Sequence, residues 1–202
     1  AIANALKNKL MVIINFHHYE EIFQNPAAHK LRFLTMWSQV ARRYAHLSDS
    51  VIFEPLNEPN DKLTAELWNQ YLSDARDTIR NSNPDKTILV GIAEWGGIGG
   101  LNKLVLPQDT NLILTVHYYN PFTFTHQGAD WVSGSDAWLG TGWYNTEAER
   151  NQVVNEFEAV RNFAITHNIP VNVGEFGAYS KAPMDSRVRW TNFCSRYFEE
   201  CG

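Results

Sequence analysis

Apolar residues fall into two kinds of segment, which alternate along the chain. Five short runs are apolar almost without interruption: LMVIINF (10–16), SVIFEPLN (50–57), KTILVGIA (86–93), NLILTVHYY (111–119) and IPVNVGEFG (169–177). Such runs predict strands covered on both faces. Between them lie longer stretches with apolar residues at helical spacing. In 29–47 these are Leu31, Leu34, Trp37, Val40, Ala41 and Tyr44. Helices are predicted likewise over 63–84, stopped by Asn and Pro, over 146–168, opened by a Thr146–Glu149 capping pair, and over 184–200. LNKLVLP (101–107) reads as one short helix, and GGIGG (96–100) as a turn.

The order is β-α repeated five times, which predicts a parallel sheet covered by helices. A doubly wound sheet and a (β/α)8 barrel both satisfy that order. Neither GxGxxG nor GxxxxGK[ST] follows a strand, so nothing supports a nucleotide site. The length of 202 residues suits a single domain spanning 1–202.

Composition narrows the partners. Seventeen basic residues stand against 22 acidic ones, a net charge of −5 with no basic cluster, which argues against nucleic acid. No apolar run reaches the roughly 18–20 residues that span a bilayer, so no membrane is expected. The opening AIANALKNKLMVIIN lacks a basic start and a cleavage site, and no initiator Met precedes it, as in a processed or trimmed start. Cys194 and Cys201 lie seven apart in a predicted helix, roughly 10 Å along its axis, too far for a bridge within the chain. A bridge between chains stays open, and no metal-ligand spacing occurs near them. Aromatic residues are abundant, with seven Trp, eight Tyr and 11 Phe. Trp37, Trp68 and Trp190 lie in helices and are expected in the core. Trp95, Trp131, Trp138 and Trp143 lie in polar, Gly-rich segments.

The strand ends carry the chemistry. The five runs close on His17-His18-Tyr19-Glu20, Asn57-Glu58-Pro59, Glu94-Trp95, His117-Tyr118-Tyr119-Asn120 and Glu175-Phe176-Gly177. In parallel α/β folds, ligands bind at the carboxyl edge of the sheet. Two carboxylates on separate strands suit glycoside hydrolysis, where one stays protonated and the other ionised. Exposed Trp faces suit sugar rings. No GxSxG elbow and no HExxH occur, which leaves acyl hydrolase and zinc peptidase readings unsupported. Within SVIFEPLN, Glu54 shares parity with Glu58 but lies deeper, so it is expected to be buried, partnered and structural. Pro55 suggests a bulge that aims Asn57 and Glu58. Glu20 and Glu21 read as a solvated loop, and His29, His46 and His167 as surface residues. Glu94 is a minor candidate for a substrate contact and Trp95 a candidate sugar platform. Trp138 and Trp143 are read as anchors of the long loop after the fourth strand.

FEPLNEPN (53–60), VHYYNPFTFTHQGADW (116–131), NFHHYEE (15–21) and VGEFG (173–177), each at a predicted strand end, together resemble glycoside hydrolase family 5. The similarity is greatest to its bacterial endo-β-1,4-glucanases and runs essentially end to end. The resemblance implies a (β/α)8 barrel, here about five β/α units corresponding to strands three to seven. Strands one, two and eight, with an active-site arginine and a tryptophan, have no counterpart. It makes Glu58 the general acid/base and Glu175 the nucleophile. Asn57 would bond the sugar 2-hydroxyl, and His17, His117 and Tyr119 would line the reacting centre. Tyr119 would bond the nucleophile in its charged form. His18, His126 and Trp131 would bind substrate. Retention of configuration would set the two carboxyls about 5–5.5 Å apart, with no cofactor and no metal. The substrate implied is β-1,4-glucan, with mannan or mixed glucan/mannan as the alternative and a polysaccharide-binding fragment as a further one. Five parallel strands leave two open edges, which predicts a homo-oligomer or a strand-swapped assembly. An insoluble polysaccharide substrate implies secretion.

Overall fold

The computed structural model describes residues 1–201. They contain, in order, α1 (Ile2–Lys7), β1 (Val12–Asn15), α2 (Glu20–Gln24), α3 (Pro26–Tyr44), β2 (Val51–Glu54), α4 (Ala65–Arg80), β3 (Ile88–Gly91), β4 (Leu112–Tyr118), α5 (Phe122–Thr125), α6 (Glu147–His167), β5 (Val171–Phe176) and α7 (Met184–Glu200). Short 3₁₀ turns cover Ile98–Lys103 and Ser135–Trp138. The five strands are those expected, and they lie in the sheet in chain order, β1-β2-β3-β4-β5. The first three pairings are parallel. No helix among the described residues is long and apolar enough to cross a membrane.

The chain divides into two compact units. The first comprises Ala1–Thr115 with Ile169–Asn172, and the second Val116–Asn168 with Val173 onward.

In the first unit, β2 and β3 are buried along their whole length, as the unbroken apolar runs require. Helices α3 and α4 cover them. Trp37 and Trp68 are fully buried, and each donates its indole N–H to a backbone carbonyl at or just past a strand end. Trp37 reaches Pro55 O at 2.8 Å and Trp68 reaches Gly91 O at 2.8 Å. A buried indole needs such a partner, and the carbonyl of a residue leaving the ladder needs a donor. Both helices start on side-chain caps, Asn25 receiving Ala28 N–H and Thr64 receiving Leu67 N–H.

In the second unit, Trp190 of α7 repeats the device, donating to Asn120 O at 3.0 Å past the end of β4. Its ring stacks parallel to Tyr118 at 6.1 Å, and Phe157 packs edge-on to Tyr118 at 4.9 Å. The capping box on α6 forms in both directions. Burial pushes the Glu149 carboxyl up, yet the amides of Thr146 and Tyr144 and the Thr146 hydroxyl prevail and hold it below its ordinary value. Cys194 is buried and Cys201 exposed, both as free thiols, and burial pushes the Cys194 thiol up.

Several local expectations change. Glu20 and Glu21 open α2 rather than lie in a loop, and both remain exposed. The Leu101–Pro107 helix is instead a 3₁₀ turn over Ile98–Lys103. Pro55 lies beyond β2, not in a bulge within it. Proline has no N–H for the ladder, so the strand ends at Glu54. His29 is half-buried against the Tyr19 hydroxyl at 3.1 Å, whereas His46 and His167 are exposed as expected.

Candidate active site

The first unit carries one set of the expected residues. At the end of β1, His17 and His18 are exposed, with rings edge to face at 4.8 Å. Asn57 is buried, and its backbone N–H donates to Phe16 O at 3.1 Å, which binds the end of the β2 segment to the residue before His17. Glu58 follows with φ 44°, a left-handed backbone that non-glycine residues adopt rarely. Asn60 Nδ2 donates to the Glu58 carbonyl at 2.7 Å and so braces that turn. Glu54 sits directly across from Asn15 in the β1–β2 register. It is buried and accepts a 3.0 Å hydrogen bond from Asn15 Nδ2, the partner that burial of a carboxylate demands.

After β3, Glu94, Trp95 and Gly96 all have positive φ, at 62°, 61° and 69°. Three successive left-handed residues form a strained turn that persists only where its surroundings hold it. Glu94 is ion-paired with Lys103, and Trp95 N–H donates to Pro59 O at 3.3 Å. The Trp95 ring is 59% exposed, as a platform rather than a core residue would be. Glu94 thus holds the turn through Lys103.

The second unit carries the other set. Tyr119 OH donates to Glu175 Oε2 at 2.7 Å, and His117 Nδ1 lies 3.7 Å from the same oxygen. His117 is almost fully buried, and the Glu175 side chain is about one-third exposed at 32%. The Glu175 carboxylate therefore has a donor on one side and an open approach on another. His126 follows α5, its ring stacked on Phe122 at 4.0 Å and edge-on to Tyr119 at 5.1 Å. Trp131, 67% exposed, stands edge-on to Tyr179 at 4.9 Å. Trp143 is buried against Phe193 and Trp138 half-buried against Phe122, the anchoring roles expected of them.

The sequence reading missed Gln127, Thr125, Phe122 and Tyr179. Gln127 is fully buried and ties the long loop together, donating to Phe124 O and Thr141 O and accepting from Gly140 N–H. Its signal was a polar residue inside an aromatic run, which marks a buried hydrogen-bonding hub only once the loop is folded.

Comparison with known proteins adds the family. The model of the cellulase family, glycosyl hydrolase family 5, matches residues 1–201. Endoglucanase H of Acetivibrio thermocellus is 33% identical over 191 residues, covering 95% of this chain but 20% of that protein. The structure of Thermotoga maritima Cel5A with mannotriose superposes with a TM-score of 0.97 at 46% identity, covering 99% of this chain and 65% of that one. The same enzyme with cellobiose gives the same values. This chain therefore spans about a fifth of the length of endoglucanase H and just under two-thirds of Cel5A, and its fold is a partial (β/α) barrel. The chain belongs to glycoside hydrolase family 5, the cellulase family.

Proposed function

We propose that this chain is a single catalytic domain of a retaining, endo-acting β-1,4-glucan hydrolase. The observation that carries the reading is the Tyr119–Glu175 hydrogen bond at 2.7 Å, with His117 beside the same oxygen. A phenol that donates to a carboxylate favours its charged form and fixes its direction. That suits a nucleophile. Glu175 attacks the anomeric carbon while Glu58 protonates the leaving oxygen, and Glu58 then deprotonates the water that hydrolyses the glycosyl-enzyme. Asn57 bonds the 2-hydroxyl, His17, His18 and His126 bond further hydroxyls, and Trp95 and Trp131 stack on sugar rings. Azide added to Glu175→Ala restores turnover and yields the inverted glycosyl azide if the assignment holds. Rescue at a different carboxylate instead moves the nucleophile.

Mannan is the second substrate class, supported by the relative Cel5A, whose structures hold both mannotriose and cellobiose. Reducing-sugar release from carboxymethyl cellulose, lichenan and glucomannan ranks the two. Retention on cellulose without release from any of them identifies a binding module instead.

The reading extends to assembly and location. Leu10, Met11 and Ile13, at and before β1, are exposed, as is Val171 of β5. We propose that another copy of the chain covers these edges. Light scattering that returns a 23.1 kDa monomer counts against it. An insoluble polymer outside the cell calls for a secreted enzyme, checked by activity in culture supernatant.

A further inference from the structure

Thr125 is 1% exposed, closes the short helix α5, and stands among the residues of the second unit's set. Its hydroxyl oxygen lies 2.5 Å from Tyr119 O, 2.9 Å from His126 Nδ1 and 3.4 Å from Phe122 O. A carbonyl oxygen only accepts, and a hydroxyl has one proton. At 2.5 Å from Tyr119 O that proton must point at the carbonyl, since two lone pairs do not tolerate such an approach. The hydroxyl therefore accepts from His126, and Nδ1 carries the hydrogen. In a neutral imidazole the other nitrogen, Nε2, is then the acceptor. Thr125 also acts through its backbone. Its carbonyl receives Tyr179 N–H at 2.7 Å, and Tyr179 is the ring that stands against Trp131.

We propose that Thr125 is a positioning residue that locks His126 in the Nδ1–H tautomer, so that Nε2 accepts a hydrogen bond from a substrate hydroxyl. The proposal rests on the hydrolase reading above for its ligand, a β-1,4-linked glucose or mannose chain, but not for the tautomer itself. One buried threonine connects three residues: through its hydroxyl the Tyr119 backbone, whose side chain holds Glu175, and the His126 ring, and through its carbonyl Tyr179, which stands against Trp131. Stacking on Phe122 keeps the imidazole plane fixed, and the Thr125 hydroxyl then bears on which ring nitrogen carries the hydrogen. The opposite tautomer would present an N–H donor at Nε2, and a sugar hydroxyl would have to reverse its own hydrogen bond to meet it.

The test uses the whole chain, with His126 nitrogen shifts read by long-range ¹H–¹⁵N correlation and assigned by their loss in His126→Gln. The wild type should show the Nδ1–H form. Thr125→Val, which keeps the shape and removes the hydroxyl, should move the ring toward the Nε2–H form, and Thr125→Ser should restore it. In hydrolysis of a soluble cello- or manno-oligosaccharide, Thr125→Val should raise KM about tenfold, the effect of one hydrogen bond, with kcat changed by less than about twofold. Thr125→Ser should recover the wild-type KM. An Nε2–H tautomer in the wild type overturns the proposal, as does an unchanged KM in an active Thr125→Val. If the valine variant does not fold, the wild-type tautomer and the serine variant still decide. If the wild type hydrolyses none of these sugars, the hydrolase reading fails, while the nitrogen shifts continue to report on Thr125.

Discussion

The two ends of the strands use the same residue types in opposite ways. At the amino-terminal end, within the first unit, charged groups are densely bonded. Arg80 forks onto both Asp109 oxygens at 2.8 and 2.9 Å and also donates to Asn83 O and Lys86 O. Lys86, 5% exposed, donates to Leu47 O and Ser48 O, and Asn83 donates to Ala41 O. Arg80 and Lys86 each bind backbone carbonyls at a helix end or a loop. At the carboxyl-terminal end, the groups stand on left-handed backbones at Glu58, Glu94 and Trp95, and two indoles lie open to solvent. The difference shows where strain and exposure are tolerated. A densely bonded network stabilises, whereas a site must hold interactions back for its ligand.

The largest expected effect falls on the carboxyl-end carboxylates. Glu58→Gln should lower kcat on an unactivated substrate by about 10²–10⁴-fold, as loss of a general acid does, and Glu175→Gln by at least as much. Both should keep near-normal retention on a β-glucan affinity gel and a normal melting curve. A break at the other end has the reverse signature. Asp109→Asn leaves the Arg80 charge without its fork and should cost about 3 kcal/mol of stability in denaturant unfolding, with kcat of the folded enzyme unchanged. If it cut turnover while leaving stability intact, the division between the two ends would be wrong.

Tyr119→Phe comes next. It removes one donor to a charged oxygen and should slow kcat/KM by about 10–100-fold, with little change in fold. Trp95→Ala should raise KM several-fold and leave kcat near its original value, since the ring offers binding rather than chemistry.

The smallest effect is a matter of acid. Burial raises the Asp109 carboxyl, but the Arg80 bonds, the Asn111 amide and the nearby charges of Arg80 and Arg76 outweigh it and hold the group below its ordinary value. A lowered folded value means the stabilisation is fully present above the unfolded value, about 3.9, and is lost as pH falls through the folded one. The gap between unfolding curves of wild type and Asp109→Asn should therefore begin to narrow as pH falls below about 4 and close only below the lowered folded value. A gap that does not narrow with acid removes the ion pair as its cause.

Much of this was legible in the sequence because it depended on neighbours along the chain. Unbroken apolar runs marked all five strands, and helical spacing marked the four long helices within a few residues. Thr146 and Glu149 announced their capping box, which needs only one turn of helix. The expected site residues stood out because polar groups after apolar runs have few other uses at that edge. What escaped had partners far along the chain or depended on backbone geometry. The indole–carbonyl bonds of Trp37, Trp68 and Trp190 join residues 18, 23 and 70 positions apart. Tyr179 meets Thr125 and Trp131 only after α6 and β5 bring the chain back. Pro55 misled because its effect on the ladder was read as a bulge rather than a strand end.

By itself, the order of residues determined the alternation of strands and helices, the acidic and aromatic groups at the strand ends, and the family. These follow from local periodicity and from short motifs, whose physics acts over a few bonds. Only the tertiary structure decided which groups stay open and which are consumed. Glu54 is taken by Asn15 and Glu94 by Lys103, while Glu175 meets Tyr119 yet keeps an exposed flank. Hydrogen-bond saturation is a property of distance in space, and a linear pattern of polar residues contains no measure of it.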